Sequence, residues 1–347
     1  MGNMLAAVFY GPHDLRLEEV SIPTAGEGEI IIRVRAAGIC GTDVRIMVGS
    51  KKVAAPIIIG HELAGDVAEV GPDVTGVAVG DRVTIEPVIP CGRCPLCLKG
   101  RRNICLTRPT IGYDYDGAFA PFVKVPASAV AGGNVVPLPP EISYDEAALA
   151  EPVAACINGI DRSHIQTGTT VLILGAGPIG LIHLQLCRAA GASRIIVSEP
   201  DGERRQMALD LGADAVIDPR SEDVARRVRE MTKGLGVEVA IVASGVPAAM
   251  ETAVASLMKG GLLNIFAGSP PGSTLTLDPN VIHYGELTIT GSSGHTAYHV
   301  HRAVDVLARR IVDAGKLITH RFALSEITQA LEARKALEGL KHVVIMP

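Results

Sequence analysis

The chain has 347 residues, a length that predicts two domains with sizeable hydrophobic cores. Apolar residues make up 48% of the chain and charged residues 20%, which excludes a disordered or fibrous protein. The 32 Lys and Arg residues stand against 37 Asp and Glu residues, and the net charge of −5 argues against a nucleic acid as partner.

The apolar runs and the start of the chain predict a cytoplasmic protein. No apolar run approaches the ~18 residues needed to cross a bilayer, so no membrane partner is expected. Residues 1–10 lack the basic segment and the long apolar core of a signal peptide. Seven cysteines without a secretory signal predict metal binding or free thiols rather than a disulfide framework.

The first part of the chain, from Met4 to about Leu138, has the rhythm of a β domain. Short stretches of alternating or apolar character are separated there by clusters of Gly, Pro and Asp. Strands are predicted at 15–20, 29–37, 62–70, 82–85 and 119–125. Their number and shortness indicate a barrel-like domain.

From residue 171 onwards, apolar runs alternate with helical stretches of ~10 to 15 residues, which predicts βαβ units on a parallel sheet. A helical segment at 139–163 connects the two parts, and the chain ends with a helix at 326–337 and a strand at 342–346. The apolar runs lie at 171–174, 194–198, 215–217, 239–242 and 262–266.

Gly175, Gly177 and Gly180 form a GxGxxG motif between a predicted buried strand and a predicted helix. Gly175 allows a tight turn, Gly177 lets a pyrophosphate approach, and Gly180 lets the helix pack on the strand. With Pro178 and Ile179, these glycines form the predicted cofactor-binding loop at a helix N-terminus. The alternative is a glycine-rich turn without a ligand.

Glu199 follows the next predicted strand, where it would hydrogen-bond the ribose diol of the cofactor. Its charge would repel a 2′-phosphate, so the predicted cofactor is NAD. Arg204 and Arg205 follow closely and could favour NADP instead, and Arg204 is included among the predicted cofactor-binding residues. The alternative for Glu199 is a solvated residue at a strand end.

Four cysteines lie within fifteen residues at the spacing C-x2-C-x2-C-x7-C. Four thiolates can close a tetrahedral shell around one zinc ion, and a closed shell predicts a structural metal. The alternatives are an iron–sulfur cluster and a nucleic-acid-binding zinc ribbon, the latter suggested by Lys99, Arg101 and Arg102. The four predicted ligands are Cys91, Cys94, Cys97 and Cys105.

A second candidate metal set is scattered along the chain. Cys40 follows one predicted strand, and His61 and Glu62 follow an apolar run. Thiolate, imidazole and carboxylate together suit zinc, and three protein ligands with an open position define a catalytic site. From spacing alone, an ordinary structural role for His61 remains the alternative.

Several motifs together resemble the zinc-containing medium-chain alcohol dehydrogenase family, most closely its polyol (sorbitol-type) and threonine dehydrogenase branches. In chain order they are Gly60-His61-Glu62-Leu-Ala-Gly65, Val70-Gly71, Gly80-Asp81-Arg82-Val83, the four-cysteine segment, Glu151-Pro152 and Gly175-Ala-Gly177-Pro-Ile-Gly180. The resemblance covers essentially the whole chain.

The resemblance implies an α/β plus β fold, in which a GroES-like catalytic β domain accompanies a doubly wound Rossmann domain. The expected GroES-like domain is 1–152, with a zinc lobe at about 88–108, and the chain's end at 300–347 completes it. The Rossmann domain is expected at 153–299, with the active site in the cleft. A dimer or tetramer is also implied, with a candidate pairing strand near 287–290.

The resemblance further implies two zinc ions per chain. Cys40, His61 and Glu62 fall on the catalytic zinc positions, and Glu151 falls where the polyol branch has a Glu that binds zinc directly or through water. The four clustered cysteines fall on the structural zinc. Whether Glu62 or Glu151 is a direct ligand stays open.

The sequence also departs from the family pattern in two places. Many alcohol dehydrogenases have a proton-relay His five positions after the first zinc cysteine, where this chain has Arg45. Threonine dehydrogenases have a His in an E-G-H context before the lobe, whereas this chain reads Glu86-Pro87-Val88, which favours a polyol.

The predicted activity is zinc-dependent, NAD(H)-linked interconversion of a secondary alcohol, a polyol, and its ketone. Zinc would act as a Lewis acid and the nicotinamide as the hydride acceptor. Thr42 would relay the proton, unless it is an ordinary turn hydroxyl; Glu62 and Glu151 complete the predicted catalytic residues. Asp43 is predicted to orient a ligand or cap a helix. His295 is predicted to lie on a surface loop, and the alternative is that it reaches the substrate from the cofactor side.

Alternatives to that activity remain open. Within the family they are an L-threonine 3-dehydrogenase or a butanediol-type dehydrogenase. Outside it they are a zinc-free quinone reductase and a non-catalytic protein that binds NAD and zinc. The four-cysteine lobe and the Cys40 and His61 pair argue against the quinone reductase.

Overall fold

A computed structural model describes residues 2–347 of the chain. These residues divide into two compact units. The first unit contains the chain up to Ala154 together with His295–Pro347, and the second contains Ala155–Gly294. The chain therefore leaves the first unit once and returns to it at its C-terminal end.

The strands and helices alternate along the chain, with most of the longer helices after residue 150. The strands are β1 (Asn3–Gly11), β2 (Asp14–Ser21), β3 (Ile30–Gly38), β4 (Ile57–Ile58), β5 (Glu62–Val70), β6 (Arg82–Ile85), β7 (Phe122–Val125), β8 (Val135–Pro137), β9 (Thr170–Leu174), β10 (Arg194–Ser198), β11 (Ala215–Ile217), β12 (Val237–Val242), β13 (Leu257–Ile265), β14 (Thr288–Gly291), β15 (Ile318–Ala323) and β16 (Lys341–Ile345). The helices are α1 (Gly41–Met47), α2 (Pro95–Leu98), α3 (Ala127–Ala131), α4 (Tyr144–Ala147), α5 (Ala150–Ser163), α6 (Pro178–Ala189), α7 (Gly202–Asp210), α8 (Val224–Met231), α9 (Pro247–Ser256), α10 (Pro279–Gly285), α11 (Ala297–Ala308), α12 (Ala314–Leu317) and α13 (Ile327–Lys335). Within residues 2–347, no helix has the length and apolar character that a membrane span requires.

The first unit is built around a sheet in the order β15-β16-β3-β5-β6-β8, with β7 also pairing with β3. The central strand β3 is buried on both faces, which its run of isoleucines and alanines explains. A smaller sheet, β2-β1-β4, packs its buried residues into the same hydrophobic core. Strand β16, from the end of the chain, pairs antiparallel with β3 and so completes this unit.

The second unit is a parallel sheet in the order β11-β10-β9-β12-β13-β14. Numbered within the unit, this order is 3-2-1-4-5-6, the doubly wound arrangement that binds dinucleotides where the order reverses. The reversal lies between β9 and β12. The glycine loop at Gly175 begins directly after β9, at the carboxyl end of the sheet.

The structure confirms the predicted strands in both parts of the chain, and the bounds of β5, β6, β10 and β11 agree to the residue. The predicted helical segment at 139–163 consists of two helices, α4 and α5. Helix α5 begins at Ala150 and has Pro152 in its first turn. Pro needs no backbone donor in that turn. Strands β1, β4, β8 and β15 were not predicted; in β15, His320 and Arg321 interrupt the apolar pattern.

Candidate active site

The glycine loop of the second unit has the geometry of a phosphate-binding turn. Gly175 has a φ of +106°, a left-handed conformation that favours glycine. A Cβ at Gly180 would lie 1.9 Å from the carbonyl oxygen of Gly175, so only glycine lets α6 approach β9 this closely. Gly177 caps α6, Pro178 and Ile179 begin it, and a Cβ at Gly177 would meet no atom within 4 Å. The loop therefore leaves the N-terminus of α6 open to an anion.

Glu199 lies at the end of β10 and is 6% exposed. Its carboxylate accepts hydrogen bonds from the backbone N–H of Ala176 at 2.6 Å and of Asp201 at 3.0 Å. These bonds hold the carboxylate against the glycine loop, where a ribose diol would reach it.

The arginines near Glu199 already have partners. Arg205 donates to the carbonyl oxygens of Glu199 and Pro200 and lies 3.1 Å from Asp218. Arg220 pairs with the same Asp218, whose pKa is lowered to about 2 by hydrogen bonds from Arg220. Arg204 lies in the first turn of α7, and its backbone N–H donates to the capping carboxylate of Asp201.

The four clustered cysteines converge in the first unit. Their four Sγ atoms all lie within 4.8 Å of one another, and none of the four cysteines forms a disulfide. A zinc–sulfur bond of about 2.3 Å in a tetrahedron places sulfurs about 3.8 Å apart. The Sγ atoms of Cys94 and Cys105 are 3.8 Å apart, and those of Cys91 and Cys105 are 3.4 Å apart. The cluster thus fits a tetrathiolate zinc site.

Backbone hydrogen-bond donors favour the thiolate form of one of these cysteines, which is the form that binds a metal. The N–H groups of Leu106 and Cys97 lower the pKa of Cys94 to about 6. Burial raises the pKa of Cys97 to about 12. A bound cation would offset this cost, because metal coordination deprotonates a thiol.

The second set of candidate ligands meets at one end of the sheet of the first unit. The register of β3 and β5 pairs Gly38 with Glu62, so the residues after β3 and before β5 emerge side by side. Cys40 and His61 are those residues, and their donor atoms lie within 4.8 Å of each other and of a Glu62 oxygen. Thiolate, imidazole and carboxylate are a donor set that zinc accepts.

Asp43 serves both Cys40 and His61. Its Oδ2 accepts the backbone N–H of Cys40 at 2.8 Å, which caps α1. Its Oδ1 lies 3.4 Å from Nδ1 of His61, and both side chains are buried. A carboxylate on Nδ1 orients the ring and directs Nε2 towards a metal. Asp43 therefore caps α1 and lies beside the imidazole that it was predicted to orient.

Glu62 contacts the ammonium of Lys341, which also donates to the carbonyl oxygen of Ile39 at 3.0 Å. Lys341 arrives at this end of the sheet because β16 runs antiparallel to β3. A Cβ at Gly38 would lie 2.0 Å from Oε2 of Glu62, so glycine is required opposite this carboxylate. Glu62 is thus held by a buried cation and by the close backbone.

Glu151 lies in the first turn of α5 and belongs to a neighbouring buried group. Its Oε1 is 3.8 Å from Nδ1 of His295, and Nε2 of His295 is 3.0 Å from Oε2 of Glu86. Burial raises the pKa of Glu151 to about 7 and lowers that of His295 to about 3. Among residues 2–347, Glu151 is not one of the side chains whose donor atoms converge with those of Cys40.

The prediction of His295 as a surface-loop residue was wrong, because its side chain is 1% exposed. The flanking Ser and Gly residues are typical of a loop, but Glu86 and Glu151 cover the imidazole. No local pattern marks this contact, which joins distant segments of the chain.

Thr42 follows Cys40 in α1, and its Oγ1 accepts a hydrogen bond from Nη2 of Arg45 at 2.8 Å. Tyr113 places its hydroxyl 3.2 Å from each ring nitrogen of His61. No spacing or motif in the sequence indicates that Tyr113 or Lys341 lies here. Both reach the site through strand pairing and loop packing that spacing does not encode.

Comparison with known proteins agrees with this architecture. Residues 26–139 match the alcohol dehydrogenase GroES-like domain family, and residues 178–309 match the zinc-binding dehydrogenase family. The first match lies in the first unit, and the second begins at Pro178, the first residue of α6, and covers strands β10 to β14 of the parallel sheet.

Individual proteins are similar over nearly the whole chain. The chain is 35% identical to sorbitol dehydrogenase of Bacillus subtilis (strain 168), over 95% of this chain and 93% of that protein. It is 37% identical to L-threonine 3-dehydrogenase of Pyrococcus horikoshii, over 95% of this chain and 94% of that protein. The crystal structure of a zinc-binding dehydrogenase of Sinorhizobium meliloti 1021, bound to NADP, superposes with a TM-score of 0.94 at 33% identity, covering 99% of this chain and all of that one.

The two family matches and these relatives agree with the motifs from which the resemblance was drawn. The chain belongs to the zinc-containing medium-chain alcohol dehydrogenase family and is an oxidoreductase with a GroES-like domain and a Rossmann dinucleotide-binding domain.

Proposed function

We propose that the protein is a zinc-dependent NAD(H) oxidoreductase that interconverts a polyol, at a secondary hydroxyl, and the corresponding ketone. The observation that carries the proposal is the convergence of Cys40, His61 and Glu62 donor atoms beside the hydroxyl-bearing helix α1. The glycine loop of the second unit fits the dinucleotide that such a reaction requires.

The residues present fit a catalytic zinc ion. Three donors of the types that zinc prefers converge, and Asp43 orients one of them. A zinc ion bound there supplies a Lewis acid that lowers the pKa of an alcohol, and NAD supplies the hydride acceptor. Glu151 would bind the metal directly or through water.

Proton transfer would be carried out by this chain's own residues. Thr42 would donate to the substrate oxygen or accept from it, and exchange its proton with the cofactor ribose. Arg45 cannot continue that relay, because a guanidinium stays protonated and accepts no proton. Its bond to Oγ1 of Thr42 instead leaves the hydroxyl hydrogen free to point towards substrate or cofactor.

For the cofactor we infer a preference for NAD over NADP. The Glu199 carboxylate is fixed at the glycine loop, where its charge opposes a 2′-phosphate. Arg205 and Arg220 share Asp218 and are committed to nearby carbonyl oxygens. The similarity to an NADP-bound dehydrogenase makes this preference the first property to measure.

L-Threonine is a second candidate substrate, favoured by the 37% identity to a threonine dehydrogenase. Against it stands Glu86-Pro87-Val88 before the cysteine lobe, where threonine dehydrogenases have a His. We therefore place polyols first and threonine second.

We also propose that the protein is a dimer or tetramer. Strand β14 is the edge of the parallel sheet, and its outer side could pair with the same strand of a second copy. Light scattering coupled to size-exclusion chromatography would measure the mass of the assembly, and a monomer would contradict the proposal.

The central test combines metal content with turnover. We expect about two zinc ions per chain, one for each donor cluster, and NADH formation with polyols or simple secondary alcohols. A panel of polyols, secondary alcohols and threonine, assayed with NAD, would identify the substrate class. No turnover with any alcohol by protein that holds both zinc ions would overturn the proposal.

The cofactor preference has its own variant pair. Glu199→Ala should narrow or reverse the ratio of kcat/KM with NAD to that with NADP, since it removes the ribose acceptor and the repelling charge. Glu203→Ala, an exposed carboxylate in the next helix, is the matched control and should leave the ratio unchanged. A wild-type preference for NADP would contradict the inference.

A further inference from the structure

We propose that Arg45 and Lys51 form an anion-binding subsite beside the candidate zinc site, so that the preferred substrate is an alcohol carrying a phosphate or carboxylate group. The proposal rests on the proposed function and deepens it by naming the substrate class. It concerns the first unit alone, to which all the residues below belong.

Arg45 holds a position that is close to the chemistry. It lies one helical turn after Thr42 in α1, and one guanidinium nitrogen donates to the Thr42 hydroxyl at 2.8 Å. A guanidinium has five donors in a planar fork, and carboxylates and phosphates match that fork. Within residues 2–347 no carboxylate oxygen is recorded within 4.0 Å of Arg45. The Arg45 guanidinium therefore contacts Thr42, the proposed partner of the substrate hydroxyl, and has no counterion among the described residues.

Lys51 approaches the same site from the following loop. Its backbone N–H donates to the carbonyl oxygen of Arg45 at 3.0 Å. Its ammonium lies 4.3 Å from the centre of the Tyr113 ring, and the hydroxyl of that ring is 3.2 Å from the imidazole of His61. One aromatic ring thus separates the ammonium from a candidate zinc ligand.

The charges around Lys51 are unbalanced. Burial and the nearby guanidinium groups of Arg45 and Arg108 lower the pKa of Lys51. Asp114 and the thiol of Cys40 act on this pKa in the opposite direction. The Asp114 carboxylate accepts the backbone N–H of Thr110 and forms no ion pair with Lys51 within 4.0 Å in the described chain.

Arg45 and Lys51, which are joined by a backbone hydrogen bond, carry like charges without a paired carboxylate, so an anion bound between them would reduce their repulsion. A phosphate or carboxylate could accept hydrogen bonds from both. The zinc site would then hold the hydroxyl that reacts, while this pair holds the charged end of the same molecule. The competing account is that Lys51 only covers the Tyr113 ring through a cation–π contact.

The test compares matched substrates that differ in charge. The zinc-loaded enzyme with NAD is assayed on a neutral polyol, on the phosphate monoester of that polyol and on a hydroxy or amino acid of similar length. We expect kcat/KM to be at least about ten-fold higher for one charged substrate than for the neutral polyol. Which charged substrate is favoured distinguishes phosphate from carboxylate.

Lys51→Gln should lower the ratio of charged to neutral kcat/KM by about ten-fold to a hundred-fold, because it removes a charge-assisted hydrogen bond. Lys52→Gln makes the same change at the exposed neighbouring lysine and should leave the ratio as in the wild type. An equal ratio in all three proteins would overturn the subsite.

A binding measurement keeps the subsite separate from the proposed reaction. Isothermal titration calorimetry with inorganic phosphate, on zinc-loaded enzyme saturated with NADH, should show binding that Lys51→Gln weakens at least about ten-fold and Lys52→Gln does not. Such binding without turnover of any alcohol would reject the proposed function and keep the subsite. Turnover of neutral polyols with no Lys51-dependent phosphate binding would do the reverse.

Discussion

The two donor clusters of the first unit differ in what surrounds them. The four-cysteine lobe draws all its candidate ligands from fifteen consecutive residues, and its Leu98 and Leu106 are 76% and 74% exposed. The Cys40, His61 and Glu62 cluster lies where strand β3 ends and strands β5 and β16 begin, beside a large apolar core.

This difference predicts that metals bound at the two clusters would have different tasks. A segment that turns its leucines outwards has little apolar surface to bury, so its order must come from the metal. The dispersed cluster is positioned by a sheet with a hydrophobic core of its own, so a metal there is not needed for folding and can serve in catalysis. The following experiments are arranged to test that division, from the largest expected effect on turnover to the smallest.

His61→Ala should nearly abolish catalysis and spare the fold. Without zinc, the substrate hydroxyl keeps a pKa near its aqueous value of ~16, whereas zinc lowers the pKa of bound water to ~7. The loss of kcat/KM should be on the order of thousands-fold or more. Zinc content should fall by about one ion per chain, with NADH binding retained.

The control is His301→Ala, an exposed histidine of α11, which should behave as the wild type. Near-normal turnover of a folded, NADH-binding His61→Ala protein would contradict the zinc mechanism and favour a metal-independent reductase.

Thr42→Val should lower kcat by about a hundred-fold to ten-thousand-fold, because it removes the proton path but not the charge that acidifies the alcohol. Thr42→Ser keeps a hydroxyl within reach of Arg45 and should recover most of the activity. Steady-state kinetics of both variants would measure these changes in kcat. An inactive Ser variant with a normal zinc content would argue for a packing role of the Thr42 methyl group.

Glu86→Gln should lower kcat by about ten-fold to a hundred-fold, the range seen for groups that orient the residues around a metal. In the structure the backbone N–H of Val88 donates to Oε1 of Glu86 at 2.9 Å, and the amide of the variant can still accept this bond. The substitution replaces the carboxylate that contacts His295, and we expect Glu151 to be held less firmly as a result. Zinc affinity, measured by competition with a chelator, should fall with kcat.

Glu141→Gln, an exposed carboxylate of the same unit, is the control for this change. If Glu86→Gln left both kcat and zinc affinity unaltered, the Glu86 and His295 contact would have no part in positioning Glu151.

Local chemistry explains which parts of the site the sequence predicts. The cysteine lobe and the glycine loop each lie in one short segment, where spacing alone defines the donors and the turn, and Gly175 has the expected left-handed φ. Cys40 and His61 could be joined only through family resemblance, because strand register brings them together.

The remaining contacts had no signal in the sequence. Lys341 reaches Glu62 only through the pairing of β16 with β3, and Glu86 reaches His295 across most of the chain. A buried histidine flanked by Ser, Gly and Thr has the local pattern of a loop. Such contacts depend on the fold and are not encoded in any local sequence pattern.

Cys97→Ser should change turnover least and stability most. Cys97 is a buried member of the lobe cluster, and a serine there leaves three thiols for the metal. We expect zinc content to fall by about one ion per chain and the free energy of unfolding to drop, since the binding energy of a structural metal is folding energy. Turnover per folded molecule should remain within about three-fold of the wild type, because the dispersed cluster is untouched.

Limited trypsin digestion locates the damage. Arg93, Lys99, Arg101 and Arg102 are exposed cleavage points within the lobe, and a disordered lobe would be cut there first. Cys187→Ser, a buried thiol of α6 in the second unit, is the matched control: it should keep both zinc ions and resist trypsin in the lobe. Loss of turnover in step with loss of the lobe zinc would show that the two clusters do not divide structure from chemistry, whereas nicking with turnover preserved would establish that they do.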